Sequence, residues 1–379
     1  MNELSLPRAA SARVRGRAHG EHFRTRIREI ASIRTDLVLE QGRYADRSEV
    51  VDMARAHLPI LEAFDAPLYD ELIGIAEGSG LDAAAIVVLN HYTDLKDVPG
   101  ASARDGASDD EDCSAIAVVS DEGPFIAQTW DMHGSVEPYV CIMHVPLQGD
   151  RPAATVFTIT GCLALAGLNA RGVAVCINNL KSRDARVGVV WPALVRRMLA
   201  EPDAVGAKRV LDGARMSSGH HYLFADRERV VSVETSGTRK DAVIDGAWAD
   251  AIGPTGAYVH TNHCLSPRVG EVSWVGETST TEARYAWLTE SVGAAPIRSR
   301  RDAWTRLGSH DGYPGSVCTH LASPSAPHAM KTCGAVLLDP VRVEMWACHG
   351  CVHDAPPEVF KPEGLSAVAR ERDSKGHRA

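Results

Sequence analysis

Residues 20 to 95 place apolar side chains three and four positions apart, the period of an α-helix. This spacing recurs in the runs Arg26–Ile33, Val51–Leu61 and Leu68–Ile75. A break at Gly78-Ser79-Gly80 precedes a further run from Asp82 to about Tyr92. The pattern predicts that this part of the chain consists of helices.

The pattern changes after residue 112. Residues 97–112 are polar and rich in Gly, Ser and Asp, which predicts an exposed loop of the kind where chains are cut. The following segments favour strands at 114–119, 125–130, 139–145, 154–159, 172–177, 221–226, 229–235, 257–260, 332–338 and 342–348. Helices are predicted at 190–200, 203–215, 280–292 and 300–307. Runs of strands alternating with runs of helices predict α+β layers, with sheet packed on sheet and helices outside.

Composition narrows the class of protein. The 379 residues are 45% hydrophobic and 23% charged, which suits one large domain or two ordinary ones. The net charge of -9 argues against a nucleic-acid partner, because phosphate binding needs a basic face. We see no apolar run of signal-peptide length and no membrane span, so we expect a cytoplasmic protein without a membrane partner. The residues from about 365 onwards are charged and are expected to fray.

Cys113 is the most informative residue of the chain. It follows the acidic run Ser108–Asp112, which is expected to be solvated, and it begins an apolar strand. Cleavage between Asp112 and Cys113 would make this cysteine a new N-terminus. Its own α-amine, with a pKa of about 8, would then serve as the base that activates the thiol.

Polar residues at the ends of other strands could complete such a site. Asp131 ends the strand that should pair with the Cys113 strand, so its carboxylate could hold the ammonium group or orient a substrate amide. Asn262 could donate its amide to an oxyanion. Either Asn178 or Asn179 could add a polar contact, and the sequence does not decide between them. The flanking His260 and His263 are interpreted as positioning or structural residues.

A set of short phrases, taken in order, resembles the acyl-coenzyme A:6-aminopenicillanic acid acyltransferase family of N-terminal nucleophile hydrolases, which includes hydrolases of β-alanyl amines. These phrases are Val14–Glu21, Glu71–Gly78, Leu89-Asn90, Cys113-Ser114, Trp130-Asp131, Gly167–Asn169, Gly172–Val175, Asn178-Asn179 and His260–His263. The resemblance extends from Arg15 to about Gly350.

The resemblance implies a precursor that cuts itself before Cys113. It implies a helical α-chain of residues 1–112, a catalytic β-chain of residues 113–379 folded as an αββα sandwich, and an αβ heterodimer as the product. Higher oligomers remain open. The family also places a functional aspartate after the tryptophan, at Asp131. Two departures stand out. The family usually has glycine where this chain has Asp112, and Thr93-Asp94 replaces a phrase containing arginine and glutamate.

The function predicted from the sequence is hydrolysis of a small N-acyl amine, such as a β-alanyl amine, through a thioester on Cys113. The net negative charge would tolerate a cationic amine. Transfer of the acyl group to an amine such as a β-lactam nucleus is the first alternative. No cofactor is expected.

Two alternatives of other classes stay open. One is an uncleaved small-molecule binding protein in which Asp112 blocks maturation. The other is a metal-dependent hydrolase that uses His260, His263 and the segment Cys348–His353. The metal interpretation is not favoured, because a lone CxxC lacks a second ligand pair in the sequence, and Cys318 or Cys333 could supply one only through the fold.

Overall fold

Seven of the helices that the structure describes lie within the first hundred residues, and the others lie between strands farther along the chain. The computed structural model describes residues 1–99, 112–252 and 256–363. The helices are α1 (Ala12–His22), α2 (Arg24–Gln41), α3 (Arg47–Ala56), α4 (Leu58–Phe64), α5 (Ala66–Ser79), α6 (Ala83–Asn90), α7 (Tyr92–Asp97), α8 (Trp191–Met198), α9 (Ala204–Gly213), α10 (Trp248–Ile252), α11 (Pro267–Gly270), α12 (Thr281–Ala294) and α13 (Arg300–Leu307), with a 3-10 helix at Gly134–Tyr139.

The strands form two sheets. They are β1 (Asn2–Ser5), β2 (Cys113–Ser120), β3 (Gly123–His133), β4 (Val140–Val145), β5 (Ala154–Ile159), β6 (Ala166–Asn169), β7 (Ala174–Ser182), β8 (Gly219–Ala225), β9 (Arg229–Thr235), β10 (Lys240–Ala247), β11 (Ala257–His260), β12 (Ser273–Trp274), β13 (Met330–Asp339), β14 (Glu344–His349) and β15 (Glu358–Phe360). The first sheet has the order β1-β4-β5-β6-β7-β8-β9-β10, with β12 pairing with β7, and the second has the order β11-β2-β3-β13-β14-β15.

The two sheets pack face to face, with helices on both outer sides. Strand β2 shows the reason in its alternation: Ile116 and Val118 pack with α12 and α13, whereas Ala115 and Ala117 face the main core. Gln128 of β3 joins the sheets directly, since its side chain bonds the backbone N–H and C=O of Ile177 in β7 at 2.7 and 3.1 Å. Helix α9 packs on β8 and β9 of the first sheet. The predicted αββα sandwich is therefore confirmed.

Helices α1 and α5 pack unusually closely. A Cβ added at Gly16 would lie 1.9 Å from the backbone oxygen of Glu71, and one at Gly74 would lie 2.2 Å from that of Arg13. Only glycine allows these backbones to approach so closely. This contact explains why two of the family-like phrases, Val14–Glu21 and Glu71–Gly78, are rich in glycine.

The N-terminal segment is not entirely helical. Strand β1 pairs in parallel with β4 and so joins the first sheet, which the helical prediction for residues 1–112 missed. The predicted loop at 97–112 and the predicted fraying after 365 fall largely or wholly outside the described residues. Among the described residues, no single helix is long and apolar enough to cross a membrane. The bent pair α5 and α6 reaches that length and composition only when its two helices are taken together.

Candidate active site

The peptide bond between Asp112 and Cys113 lies at the start of β2, inside the protein. Cys113 is 5% exposed and pairs with Trp130 across the β2–β3 hairpin. The same antiparallel pairing brings the backbone N–H of Asp131 to the carbonyl oxygen of Asp112, at 2.9 Å. The carbonyl that a Cys113 thiol would attack thus accepts a hydrogen bond from a fixed donor.

Asp112 is buried, which corrects the expectation of a solvated acidic run for this residue. Its side chain is 2% exposed and forms an ion pair with Arg284 at 2.7 Å. The hydroxyl of Thr280 donates to the second carboxylate oxygen at 2.9 Å. The last residue before the cysteine is therefore anchored by its charge.

Arg284, on the first turn of α12, connects the groups around this peptide bond. Its guanidinium donates to the carbonyl oxygen of Cys113 at 2.8 Å, to the hydroxyl of Ser114 at 3.0 Å and to the side-chain oxygen of Asn262 at 3.1 Å. The arginine side chain is 0% exposed, so these bonds and the Asp112 ion pair compensate for removing its charge from water.

Asn262 lies directly against Cys113. Its side-chain oxygen accepts the Cys113 N–H at 2.7 Å, and its side-chain nitrogen donates to the backbone oxygen of Asn179 at 2.9 Å. The hydroxyl of Thr281 accepts the Asn262 N–H at 2.7 Å, which fixes the loop after β11. In the uncut chain the amide oxygen, rather than the amide nitrogen, faces the cysteine.

Asp131 is a buried carboxyl group in a poorly hydrated position. Its side chain is 0% exposed, and among the described residues neither carboxylate oxygen has a partner in full hydrogen-bond geometry, although the Thr332 and Thr129 hydroxyls lie close enough to lower its pKa. Burial raises the pKa of Asp131 to about 7, although the positive charge of Arg284 opposes the shift. A carboxyl group with this pKa exchanges its proton near neutral pH, as a general base must.

The Cys113 thiol is protonated in the uncut chain. Burial raises its pKa well above the ordinary value, and the negative charge of Asp131 raises it further, whereas Arg284 lowers it. Since the thiolate is the nucleophile, attack requires a base that removes this proton. Asp131 is the titrating group that acts on the thiol most strongly.

The two predicted asparagines, Asn178 and Asn179, contact different groups. The backbone oxygen of Asn179 accepts the hydrogen bond from the Asn262 side chain. The side-chain oxygen of Asn178 instead contacts Nδ1 of His221 at 2.5 Å, in the buried space between the sheets.

The two predicted histidines, His260 and His263, also contact different groups. His260 contacts Glu234 at 2.8 Å and stacks on His221 with ring centroids 3.5 Å apart. His263 contacts the Thr261 and Thr281 hydroxyls at 3.2 and 3.1 Å, and Thr281 is the residue that holds Asn262. His263 therefore lies one residue from the site, whereas His260 belongs to a buried network behind it.

A cavity of about 230 Å³ opens beside Asn262. Its lining includes Lys181, Trp274 and Glu282, and the Lys181 ammonium lies over the Trp274 ring at 4.6 Å. A cavity lined by an ammonium group, a carboxylate and an aromatic ring suits a small polar molecule.

Sequence reasoning missed Arg284 and Thr280. Both lie at the start of α12, more than 160 positions from Cys113, in a segment that carries no motif. A buried carboxylate at Asp112 would have required a cationic partner, but the acidic run gave no sign of burial.

Comparisons with known proteins come from sequence and from structure. Residues 118–292 match the family model described as acyl-coenzyme A:6-aminopenicillanic acid acyl-transferase. The 40 kDa form of acyl-coenzyme A:6-aminopenicillanic-acid-acyltransferase from Emericella nidulans is 24% identical over 310 residues, which cover 80% of this chain and 81% of that protein.

Solved structures with partial similarity include two hydrolases. A variant of conjugated bile acid hydrolase from Clostridium perfringens matches with a TM-score of 0.43 and 9% identity, covering 66% of this chain and 96% of that one. Penicillin V acylase from Agrobacterium tumefaciens matches with a TM-score of 0.36 and 13% identity, covering 65% and 85% of the two chains.

Proposed function

We propose that this chain is a member of the acyl-coenzyme A:6-aminopenicillanic acid acyltransferase family, a precursor that cleaves itself before Cys113 and then hydrolyses a small N-acyl amine through a thioester on that residue. The observation that carries the proposal is the hydrogen bond from the Asp131 N–H to the Asp112 carbonyl oxygen, at 2.9 Å. This is the oxygen that becomes negatively charged when a thiol adds to the carbonyl carbon, and a fixed donor at this distance stabilises that charge.

Self-cleavage begins with the Cys113 thiol. Its proton passes to the Asp131 carboxylate, and the sulfur adds to the Asp112 carbonyl carbon. The peptide C–N bond then breaks, the Cys113 nitrogen takes up a proton, and the Asp112 acyl group remains on the sulfur as a thioester. Water hydrolyses this thioester, which leaves a carboxylate on Asp112 and a free thiol and amine on Cys113.

Turnover repeats these steps on a substrate amide. The α-amine of Cys113 now takes the thiol proton, since its pKa of about 8 lies near the operating pH. The sulfur attacks the substrate carbonyl, the amine leaves with a proton, and water releases the acid from the thioester. Asn262, whose side-chain oxygen accepts the Cys113 N–H at 2.7 Å before cleavage, is placed to hold the amine after it.

The cavity beside Asn262 supports a small polar substrate. The carboxylate of Glu282 lines it and attracts an ammonium group, whereas the ammonium of Lys181, which lies over the Trp274 ring at 4.6 Å, attracts a carbonyl or carboxylate oxygen. An N-acyl amine that carries a positive charge, such as a β-alanyl amine, has this chemistry. The relative's name favours acyl transfer, so the acceptor, water or an amine, has to be determined by assay.

An assay with a panel of small N-acyl amines tests the proposal. We expect amine release by the native protein and a mass adduct of one acyl group on the fragment that begins with Cys113. The Cys113→Ala variant should release no amine, whereas Cys141→Ala, which removes a buried thiol of β4 outside the cavity, should retain activity. Adding a free amine acceptor separates transfer from hydrolysis. Amine release by Cys113→Ala would contradict the proposal.

A further inference from the structure

Four side chains of the types that bind metals meet beside strands β13 and β14 of the second sheet. They are His310, Cys318, His320 and Cys351, which we call the Cys2His2 cluster. Their ligand atoms all lie within 4.8 Å of one another. The sequence separates them by up to 41 positions, so the fold alone brings them together.

The distances inside the cluster match the edges of a tetrahedron around one zinc ion. The two Sγ atoms lie 3.8 Å apart, and the two Nε2 atoms lie 3.3 Å apart. The Sγ–Nε2 distances are 3.4 Å for Cys318 to His320 and 3.5 Å for Cys351 to His310. Zinc–sulfur bonds of about 2.3 Å and zinc–nitrogen bonds of about 2.05 Å predict tetrahedral edges of about 3.8, 3.3 and 3.6 Å for the S–S, N–N and S–N pairs.

We propose that the Cys2His2 cluster binds a structural Zn²⁺ ion. Two thiolates and two neutral imidazoles neutralise the charge of a dication, and this donor set in tetrahedral geometry favours zinc. A disulfide between Cys318 and Cys351 is a poor alternative, because their 3.8 Å separation far exceeds a sulfur–sulfur bond of about 2.05 Å.

Ordered backbone supports each ligand. The N–H of Cys318 donates to the carbonyl oxygen of Ser309 at 3.0 Å, which closes the loop after α13. Between Cys318 and His320, Thr319 pairs with Thr332 of β13 through a backbone bond of 2.8 Å. The Gly350 N–H bonds the Cys333 carbonyl at 3.0 Å and sets the turn that leads to Cys351. The N–H of Tyr313 donates to the carbonyl oxygen of His310 at 3.2 Å, so hydrogen-bonded backbone supports all four ligands before a metal binds.

The neighbouring cysteine and histidines have other contacts. Cys348 packs in the apolar cluster between the second sheet and helices α12 and α13. Nε2 of His349 contacts the carbonyl oxygen of Glu137 at 2.8 Å, and the His353 ring lies 5.1 Å from that of His310. Only one cysteine of the CxxC motif therefore faces the cluster, and Cys318 supplies the second thiol. This revises the sequence expectation of no metal site.

Four protein ligands leave no coordination position for water, which is the feature that separates a structural zinc site from a hydrolytic one. The ion would tie the loop of residues 308–329 to the end of β14. That loop pairs with β13 at Thr332, which lies opposite Asp131 in the sheet. The proposal is independent of the catalytic function, because its ligands are not among the groups that contact the Asp112–Cys113 bond.

Metal analysis of the purified full-length chain tests the site. Protein prepared with a reductant and without chelator should contain close to one zinc ion per chain. Cys318→Ser and Cys351→Ser should each lose most of it. Cys348→Ala, which removes the other cysteine of the CxxC motif, should retain it. Chelation should lower the thermal midpoint of the native protein and leave that of Cys351→Ser unchanged.

A cobalt titration keeps the test decisive if the variants fail to fold. Chelator-treated native protein should bind Co²⁺ with the intense visible bands of tetrahedral coordination and with thiolate-to-cobalt charge transfer. Native protein that contains no zinc and binds neither Zn²⁺ nor Co²⁺ would overturn the proposal. Zinc that survives in both serine variants, or a weak octahedral cobalt spectrum, would do so as well.

Discussion

Replacing Asp131 by asparagine should remove a pH dependence from the stability of this protein. The carboxyl group of Asp131 is buried beside Cys113, and burial raises its pKa from 3.8 to about 7. An asparagine of nearly the same shape cannot titrate. The comparison of the two side chains therefore isolates the effect of burying this carboxylate.

The size and sign of the effect follow from linkage. The folded protein binds the Asp131 proton more tightly than the unfolded chain does, so the free energy of unfolding decreases as the pH rises between the two pKa values. The decrease is about 1.4 kcal/mol per pH unit midway between the two pKa values and becomes smaller near each of them, which gives about 2 kcal/mol between pH 5 and pH 7. Below pH 4 the contribution is fully present, and above pH 7 it is lost. At pH 8 the asparagine variant should therefore be the more stable protein, although it lacks the base.

Urea unfolding at pH 5 and pH 7.5 measures this difference. The parent protein should carry Cys113→Ala, which keeps the chain in one piece. We expect its midpoint to fall with pH by clearly more than that of the same chain with Asp131→Asn. Asp121→Asn serves as the control, because the side chain of Asp121 is 72% exposed. Equal pH dependence with and without the Asp131 carboxylate would refute the reasoning.

Substitutions at Cys113, Asn262 and Arg284 probe the site further. Cys113→Ala should abolish cleavage and turnover. Cys113→Ser should be cleaved far more slowly, because the alkoxide forms less readily than the thiolate. The time course of fragment formation measures both effects. Asn262→Ala should lower kcat by about 100-fold with little change in KM, because the Cys113 amine loses the side-chain oxygen that holds it beside the thiol; an effect confined to KM would exclude that role. Arg284→Met should reduce the free energy of unfolding by about 3–5 kcal/mol, because it leaves the Asp112 carboxylate buried without a cation. Asp112→Asn in the same chain should recover part of this loss. Equal destabilisation of the single and double variants would contradict the role of the ion pair.

The sequence was sufficient to predict the layers and the centre of the candidate site. The apolar runs of β2 and β3 predicted two paired strands, and the register of this hairpin brings Asp131 to Asp112. The strands β1, β6, β10, β12 and β15 were missed for local reasons. Four of them have at most four residues, and β10 is a half-exposed edge strand with a polar sequence.

Groups whose roles depend on distant contacts could not be predicted. The guanidinium of Arg284 acts on a peptide bond more than 160 positions away, and its burial is intelligible only beside Asp112. The Cys2His2 cluster combines the segment of residues 310–320 with a turn after β14, so its spacing in the sequence matches no familiar ligand pattern. Periodicity reports which face of an element is buried, but it does not report which elements meet there.

The intact mass and N-terminal sequence of the freshly purified protein test the central claim most directly. Self-cleavage before Cys113 predicts two chains of about 12 and about 29 kDa, from 40.7 kDa divided in proportion to residue number, with the larger chain beginning at Cys113. Cleavage should be first order and independent of protein concentration, and Cys113→Ala should stay at 40.7 kDa. A native protein that also remains a single 40.7 kDa chain would contradict the account.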